Sequence, residues 1–233
     1  MLRKAWFKAV IWLLCLAPFL WLFGRASVVF GLIQPEALGG LFSRGEIIAN
    51  PLEYITHFTG DWTIRFLVFT LAVTPLRKLL RLPDLIRFRR MFGLFAFFYG
   101  SCHFLTWLWL DKLFDLGEML KDVGKRPFIT AGFAALVLML PLAVTSTAGW
   151  IRRLGGKRWR ALHRLVYLSA IAGVVHYYWL VKADIRLPVF YGALVAVLLL
   201  YRAVVWTIAE YGRRATPVKP RTAPLRPERA NQP

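Results

Sequence analysis

The most constraining feature of this sequence is a series of six apolar runs, each long enough to cross a bilayer as a helix. About 20 helical residues, rising 1.5 Å each, span the roughly 30 Å hydrocarbon core of a membrane. The chain has 233 residues, of which 58% are hydrophobic. We therefore predict an all-α membrane protein, a bundle of six transmembrane helices. The runs cover residues 9–30, 54–74, 91–110, 127–147, 162–181 and 188–209.

Basic residues alternate between the connections in a way that predicts which side each connection lies on. Twenty-one of the 31 lysines and arginines fall at the N-terminus, after the second and fourth runs, and in the tail. By the positive-inside rule, both termini are predicted to be cytoplasmic. The net charge of +19 is then explained by topology and by contact with anionic lipid. We accordingly predict membrane lipid, and not nucleic acid, as the partner of this charge.

The chain divides by composition into a membrane domain and a tail. Residues 1–210 hold all six runs, whereas residues 211–233 are basic and proline-rich and are predicted to be a disordered cytoplasmic tail. The first run is followed by no small-residue cleavage site and is interpreted as a retained anchor, not a signal peptide. No G-x-G-x-x-G or Walker loop is present, so electrons or substrates would have to come from separate proteins.

The four histidines all lie within the apolar runs or at their ends, where ionisable side chains are usually functional. Counting from the cytoplasmic ends of the third and fifth runs places His103 and His176 at the same depth, roughly 20 Å in. Two imidazoles that face each other across a helix bundle can hold the iron of a six-coordinate b-type haem. Zinc is the alternative metal for these histidines, but a zinc site requires three or four clustered donors.

The cytoplasmic end offers a less complete second site. His163 lies near the inner boundary and could ligate a second haem, but the matching position on the third run is Arg89, followed by Arg90. An arginine could pair with a haem propionate or a flavin phosphate, or simply extend to the interface. His163 and His176 are 13 residues apart, which leaves them about 140° from a common helix face.

The second run contains the other candidates. Asp61 and Arg65 are spaced to pair on one helix face, and Arg65 could also neutralise a haem propionate. His57 lies near the outer end of the run and could line a docking or quinone surface, or cap the helix.

Several stretches of the chain resemble a known family. They are 57–65 (HFTGDWTIR), 74–77 (TPLR), 90–103 (RMFGLFAFFYGSCH), 125–130 (KRPFIT) and 159–167 (WRALHRLVY), together with His176. In combination they resemble the MsrQ (YedZ) family, the haem-binding membrane subunits of bacterial periplasmic methionine sulfoxide reductase systems. That family belongs to the ferric-reductase-like transmembrane proteins. The resemblance covers roughly residues 8–210.

The resemblance implies a multi-pass protein of the bacterial inner membrane that carries one or two b-type haems. FMN is also implied. Electrons would come from quinol or a cytosolic flavin reductase and pass to a periplasmic molybdopterin-containing reductase that repairs oxidised methionine. The haem positions of the family match His103, His163 and His176. Relatives among the oxidases have two histidines on the third run, and Arg89 stands in the vacant place here.

Two other functions remain open from the sequence. One is a ferric-reductase or oxygen-reductase type of membrane cytochrome b. The other is a transporter without haem, in which the histidines relay protons. In the hypothesis that follows from the resemblance, the chain is an electron conduit with no catalytic residues of its own, whereas a ferric-reductase or oxygen-reductase type of cytochrome would reduce iron or oxygen directly.

Overall fold

The computed structural model describes residues 4–33 and 50–215, and all regular structure within these two segments is helical. Eight α-helices follow one another, with a short 3-10 turn at Pro83–Leu85 and a π-helical turn at Thr106–Asp111. The α-helices are α1 (Ala5–Val29), α2 (Pro51–Leu79), α3 (Ile86–Leu105), α4 (Leu116–Lys125), α5 (Pro127–Val144), α6 (Ala148–Leu162), α7 (Leu165–Leu180) and α8 (Arg186–Ala215).

Within the described residues, four helical segments have both the length and the apolar composition needed to cross a membrane. They correspond to α1, α3 with the turns on either side of it, α5, and α8. Helix α2 has 29 residues but carries charges along its length, and α7 is apolar but has only 16 residues. The prediction of an all-helical membrane protein is therefore confirmed, while the count of six spans and the side of each terminus stay predictions.

The connections are more structured than the sequence analysis anticipated. Helices α4 and α6 occupy connections between apolar runs, and both begin at a side-chain cap. The Asp115 carboxylate accepts a hydrogen bond from the Glu118 N–H at 3.0 Å. The Thr147 hydroxyl oxygen accepts one from the Trp150 N–H at 3.4 Å. Gly155 bends α6 with a φ of 70°, which favours glycine.

The helix that contains the last apolar run extends into the predicted tail. Helix α8 continues to Ala215, past the predicted start of the tail at residue 211. The apolar periodicity ends near 209, but a helix whose last turns are polar can continue into solvent. The rest of the predicted tail, 216–233, lies outside the described residues.

The chain forms two compact units. The first runs to Leu199 and contains α1 to α7 with the beginning of α8; the second begins at Leu200, and its described part is the remainder of α8. Within the first unit, α2 packs most extensively on α3, and α5 on α7. The buried core includes Phe66, Leu71, Ala96, Tyr99 and Ala170. These two helix pairs form the framework of the site described next.

A tyrosine hydroxyl joins α3 to α1. The Tyr99 hydroxyl accepts a hydrogen bond from the Phe19 N–H at 3.0 Å and donates one to the Cys15 carbonyl at 2.9 Å. In an uninterrupted helix that N–H would bond directly to that carbonyl. The hydroxyl therefore takes a place inside the hydrogen-bond ladder of α1, next to Pro18, which has no N–H to give.

Candidate cofactor site

Two imidazoles face each other in the space between the two helix pairs. His103, near the end of α3, and His176, on α7, have ring centroids 5.9 Å apart and ring planes at 78°. His103 is 17 residues beyond the start of α3, or about 26 Å along it. The sequence analysis expected these two histidines at one depth on different helices, and the structure brings them together.

Hydrogen bonds to backbone carbonyls fix the tautomer of both rings. The His103 Nδ1 lies 2.9 Å from the carbonyl oxygen of Thr56 on α2. The His176 Nδ1 lies 2.6 Å from the carbonyl oxygen of Phe128 on α5. A carbonyl can only accept, so each Nδ1 carries the proton and each Nε2 keeps a free lone pair. Neutral imidazole with a hydrogen-bonded Nδ1–H and a free Nε2 is a common arrangement of metal-ligating histidine.

The two rings line a cavity of about 360 Å³ whose walls are mostly apolar. It is bounded by α2, α3, α5 and α7, and each of these helices contributes one glycine to the wall. The glycines are Gly60, Gly100, Gly132 and Gly173. A flat, apolar ligand with its centre between the imidazoles is the kind of molecule that such a cavity accommodates.

The donor set fits a metal held by two histidines in a macrocycle. A metal about 2 Å from each imidazole nitrogen would separate the two nitrogens by about 4 Å. Ring centroids 5.9 Å apart are compatible with that separation. Zinc fits poorly, because no group of three or more His, Cys, Asp or Glu side chains that could hold a metal occurs within 4–33 and 50–215.

Arg65 does not line this cavity. Its Nε donates to the Tyr191 hydroxyl on α8 at 3.2 Å, its Nη2 lies 3.3 Å from Asp61, and its guanidinium lies over Trp62. The predicted Asp61–Arg65 pair is therefore present. Asp61 also accepts a hydrogen bond from Tyr177, beside His176. The expected role of Arg65 toward a propionate has no support in this geometry, because Arg65 does not reach the cavity wall and its Nε and Nη2 are directed at Tyr191 and Asp61.

The cationic group on the cavity wall is Arg126, the residue before α5. Its Nε lies 3.4 Å from Asp122, which also contacts the Lys112 ammonium at 2.7 Å. That ammonium holds the pKa of the Asp122 carboxyl below its usual range. His57, which the sequence analysis placed at an outer surface, is exposed and also lines the cavity.

His163 lies apart from the pair. It ends α6 at the turn before α7, so it does not lie on α7 as the predicted fifth span required. Its ring stacks on Trp159, with centroids 3.8 Å apart, and the Nδ1 lies 3.0 Å from the Trp159 carbonyl oxygen. Arg89 on α3 interacts electrostatically with His163, while Arg90 is exposed. None of the other histidines adjoins His163.

Sequence reasoning missed the residues that hold the two facing rings. Backbone carbonyls have no sequence signature, and Gly60 and Gly132 were not selected as site residues. The sequence holds one relevant pattern: Gly60 precedes His103 by 43 residues, and Gly132 precedes His176 by 44. Each histidine thus has a glycine at nearly the same distance before it in the chain. Arg126 lies within the 125–130 motif and has no further signal in the sequence.

The chain is similar to a family of membrane proteins and to several proteins within it. Residues 59–174 match the family described as ferric reductase like transmembrane component. A protein of Herminiimonas arsenicoxydans is 61% identical over 160 residues, which are 68% of this chain and 73% of the relative. A protein of Ralstonia nicotianae is 49% identical over 208 residues, 88% of each chain. One of Caulobacter vibrioides is 43% identical over 208 residues, 89% of this chain and 90% of the relative.

The fold and the matched region define a ferric-reductase-like transmembrane protein. The three relatives are each named as protein-methionine-sulfoxide reductase heme-binding subunit MsrQ. Since similarity at this level extends over most of both chains, the chain belongs to the MsrQ family, as the sequence motifs indicated.

Proposed function

We propose that this protein is the haem-binding, electron-transferring membrane subunit of a methionine sulfoxide reductase system, with a b-type haem between His103 and His176. The observation that carries the proposal is the pair of facing imidazoles, each with Nδ1 bonded to a carbonyl and Nε2 directed away from it. Family membership supports the same cofactor, because the relatives are named as heme-binding subunits.

The role of the chain's own residues is to keep both histidine ligands in the same position before and after electron transfer. Iron bound between two histidines exchanges one electron without opening a coordination position. His103 and His176 lie on different helices, and the Nδ1–H of each is bonded to a further helix, so each ring is held by two of the four helices. The mostly apolar walls disfavour water in the space between the rings. Arg126 is the cation available to a propionate at the wall.

The proposed arrangement in the membrane has six spans with both termini in the cytoplasm of a bacterium, in its inner membrane. Helices α2 and α7 complete the set: α2 is long enough to cross, and α7 is about 24 Å long and could span a locally thinned bilayer. In this topology the His103–His176 pair lies in the outer half. That position suits delivery of electrons to a periplasmic molybdopterin-containing reductase.

The proposed donor is quinol or a cytosolic flavin reductase. The basic residues at the cytoplasmic ends of α2, α3 and α6 would face such a donor. His163, with Arg89 close enough to act on it electrostatically, is the candidate for a second, lower cofactor. FMN stays a prediction from the resemblance, with Arg89 and Arg90 as the residues proposed for a flavin phosphate.

Haem content of purified variants tests the ligand assignment. Reduced-minus-oxidised spectra and pyridine-haemochrome quantitation are compared for the wild type, His103→Ala, His163→Ala and His176→Ala. We expect loss of the same haem in His103→Ala and His176→Ala, and its retention in His163→Ala. Unchanged haem in both of the first two variants would remove the assignment.

The same preparation separates the alternative functions. A proton-relay transporter predicts wild-type protein without haem absorbance. A ferric-reductase or oxygen-reductase type of cytochrome predicts fast oxidation of the reduced protein by ferric chelate or oxygen. The proposed function predicts instead that a periplasmic molybdopterin reductase oxidises it fastest.

A further inference from the structure

We propose that Gly60 and Gly132 are positioning residues for the two histidines. Each glycine leaves the space beside a backbone carbonyl in which one imidazole is held with its Nε2 free. This inference rests on the proposed haem site and concerns how the chain orients its own ligands.

On α5, the space at Gly132 is fully used by His176. A Cβ built on Gly132 would lie 2.7 Å from the His176 Nδ1 and 2.9 Å from its Cε1. Those distances are shorter than van der Waals contact, and a methyl group fixed to a helix backbone cannot turn away. Any side chain at 132 would therefore displace the ring from the Phe128 carbonyl, 2.6 Å away.

On α2, Gly60 stands in the same relation to His103. A Cβ built there would lie 3.2 Å from both the Nδ1 and the Cε1 of His103. The ring could yield by a few tenths of an ångström, but its bond to the Thr56 carbonyl is already at 2.9 Å. We expect the same disturbance as at Gly132, in a milder form.

Helix geometry explains why the glycine follows the carbonyl by four residues in both cases. The carbonyl of residue i lies beside residue i+4, whose N–H it accepts, and it keeps a second lone pair for another donor. A side chain at i+4 would block that second lone pair. Thr56 with Gly60 and Phe128 with Gly132 repeat this arrangement on two helices, each opposite its own histidine.

The glycines should affect the chemistry of the bound iron, not only its retention. An Nδ1–H that donates to a carbonyl makes the Nε2 a more basic ligand. A more basic ligand stabilises the ferric state over the ferrous state. Loss of either bond should therefore raise the reduction potential, an effect that helix packing alone would not produce.

The test compares Gly60→Ala and Gly132→Ala with the matched control Gly93→Ala. Gly93 is also within a helix, but a Cβ there would meet Thr70 at an ordinary 3.7 Å. Haem content, the electron paramagnetic resonance spectrum of the ferric state and the reduction potential are measured on each purified full-length protein. Wild-type protein is measured first, since haem-free wild type would reject the proposed function itself.

We expect Gly60→Ala to retain haem with a raised potential and altered resonance positions. Gly132→Ala should show a larger shift or lose the haem, and Gly93→Ala should match the wild type. If Gly132→Ala does not accumulate as folded protein, Gly60→Ala decides. A haem-loaded wild type with unchanged spectra and potential in Gly60→Ala, or equal shifts in Gly93→Ala, would overturn the inference.

Discussion

At the scale of single residues, the Asp61–Arg65 pair shows how charge is held within an apolar bundle. Asp61 is bonded by both Arg65 and Tyr177, and Arg65 also donates to Tyr191. A charge left without a partner near the centre of a membrane helix costs about 2.5–3.5 kcal/mol. The two residues together therefore stabilise the fold, whereas either residue left without the other would destabilise it.

This predicts a non-additive pair of substitutions. Asp61→Ala should destabilise the protein by about 2–3 kcal/mol, because it leaves the Arg65 cation unpaired. Adding Arg65→Met should recover most of that loss. Equilibrium unfolding in mixed micelles measures both, with Asp184→Ala as the control, since its partner Arg186 is 88% exposed and such a pair contributes about 0–1 kcal/mol. Equal losses in the single and double variants would contradict the prediction.

Arg126 allows a second prediction at this scale. Its Arg126→Ala variant should release haem about tenfold faster, because a charge-assisted hydrogen bond to a carboxylate contributes about 1.5 kcal/mol. The rate of haem transfer to excess apomyoglobin measures this, and Arg186→Ala serves as an exposed control. Arg65→Ala should release haem faster only to the extent that this substitution lowers the stability of the folded protein. Faster release from Arg65→Ala than from Arg126→Ala would restore the propionate role to Arg65.

The histidine pair was predictable from the sequence because helical rise is uniform. Counting residues from the ends of two apolar runs placed His103 and His176 at one depth. What counting could not supply is the partner of a long side chain. The sequence allows Arg65 either a pair with Asp61 or a cofactor propionate, and it gives no sign of the bond to Tyr191, which lies 126 positions away. Arg126 lies at a helix end, where no spacing pattern distinguishes one cation from another.

At the scale of helices, the hydroxyl of Tyr99 fixes how α1 meets α3. It satisfies the Phe19 N–H and the Cys15 carbonyl together, at a point where Pro18 already interrupts the ladder. No local pattern predicts such an insertion, since Tyr99 is 80 residues from Phe19. The apolar runs predicted the helices themselves, whereas the caps at Asp115 and Thr147 were the available signals for α4 and α6.

Removing this hydroxyl should loosen α1 without changing the cofactor site. Tyr99→Phe leaves a buried donor and a buried acceptor without their partner, which costs about 1–3 kcal/mol. We expect lower thermal stability and faster hydrogen exchange at the amides of 15–19, with haem content unchanged. Tyr178→Phe is the matched control, because Tyr178 is 48% exposed. Unaltered exchange in α1 would show that the Phe19 N–H bonds directly to the Cys15 carbonyl once the hydroxyl is removed.

At the scale of the whole molecule, the proposed topology depends on charge and helix length together. The basic clusters lie at the end of α2, the start of α3 and along α6, and the positive-inside rule predicts that all of them are cytoplasmic. The alternation requires that α2 and α7 both cross the membrane. These are the two helices whose composition or length leaves the crossing open, so the six-span prediction depends on them.

Single cysteines at the ends of these helices distinguish six crossings from four. In a background with Cys15→Ala and Cys102→Ala, the outer set is Glu53→Cys, Lys121→Cys and Lys182→Cys, and the inner set is Lys78→Cys and Lys157→Cys. A membrane-impermeant maleimide added to spheroplasts should label the outer set, and label the inner set only after the membrane is opened.

If α2 lay along the surface, positions 53 and 78 would be labelled together. If α7 did not cross, 157 and 182 would behave alike. Since only α5 separates the membrane sides of 121 and 157, opposite labelling of that pair serves as the internal control for a single crossing.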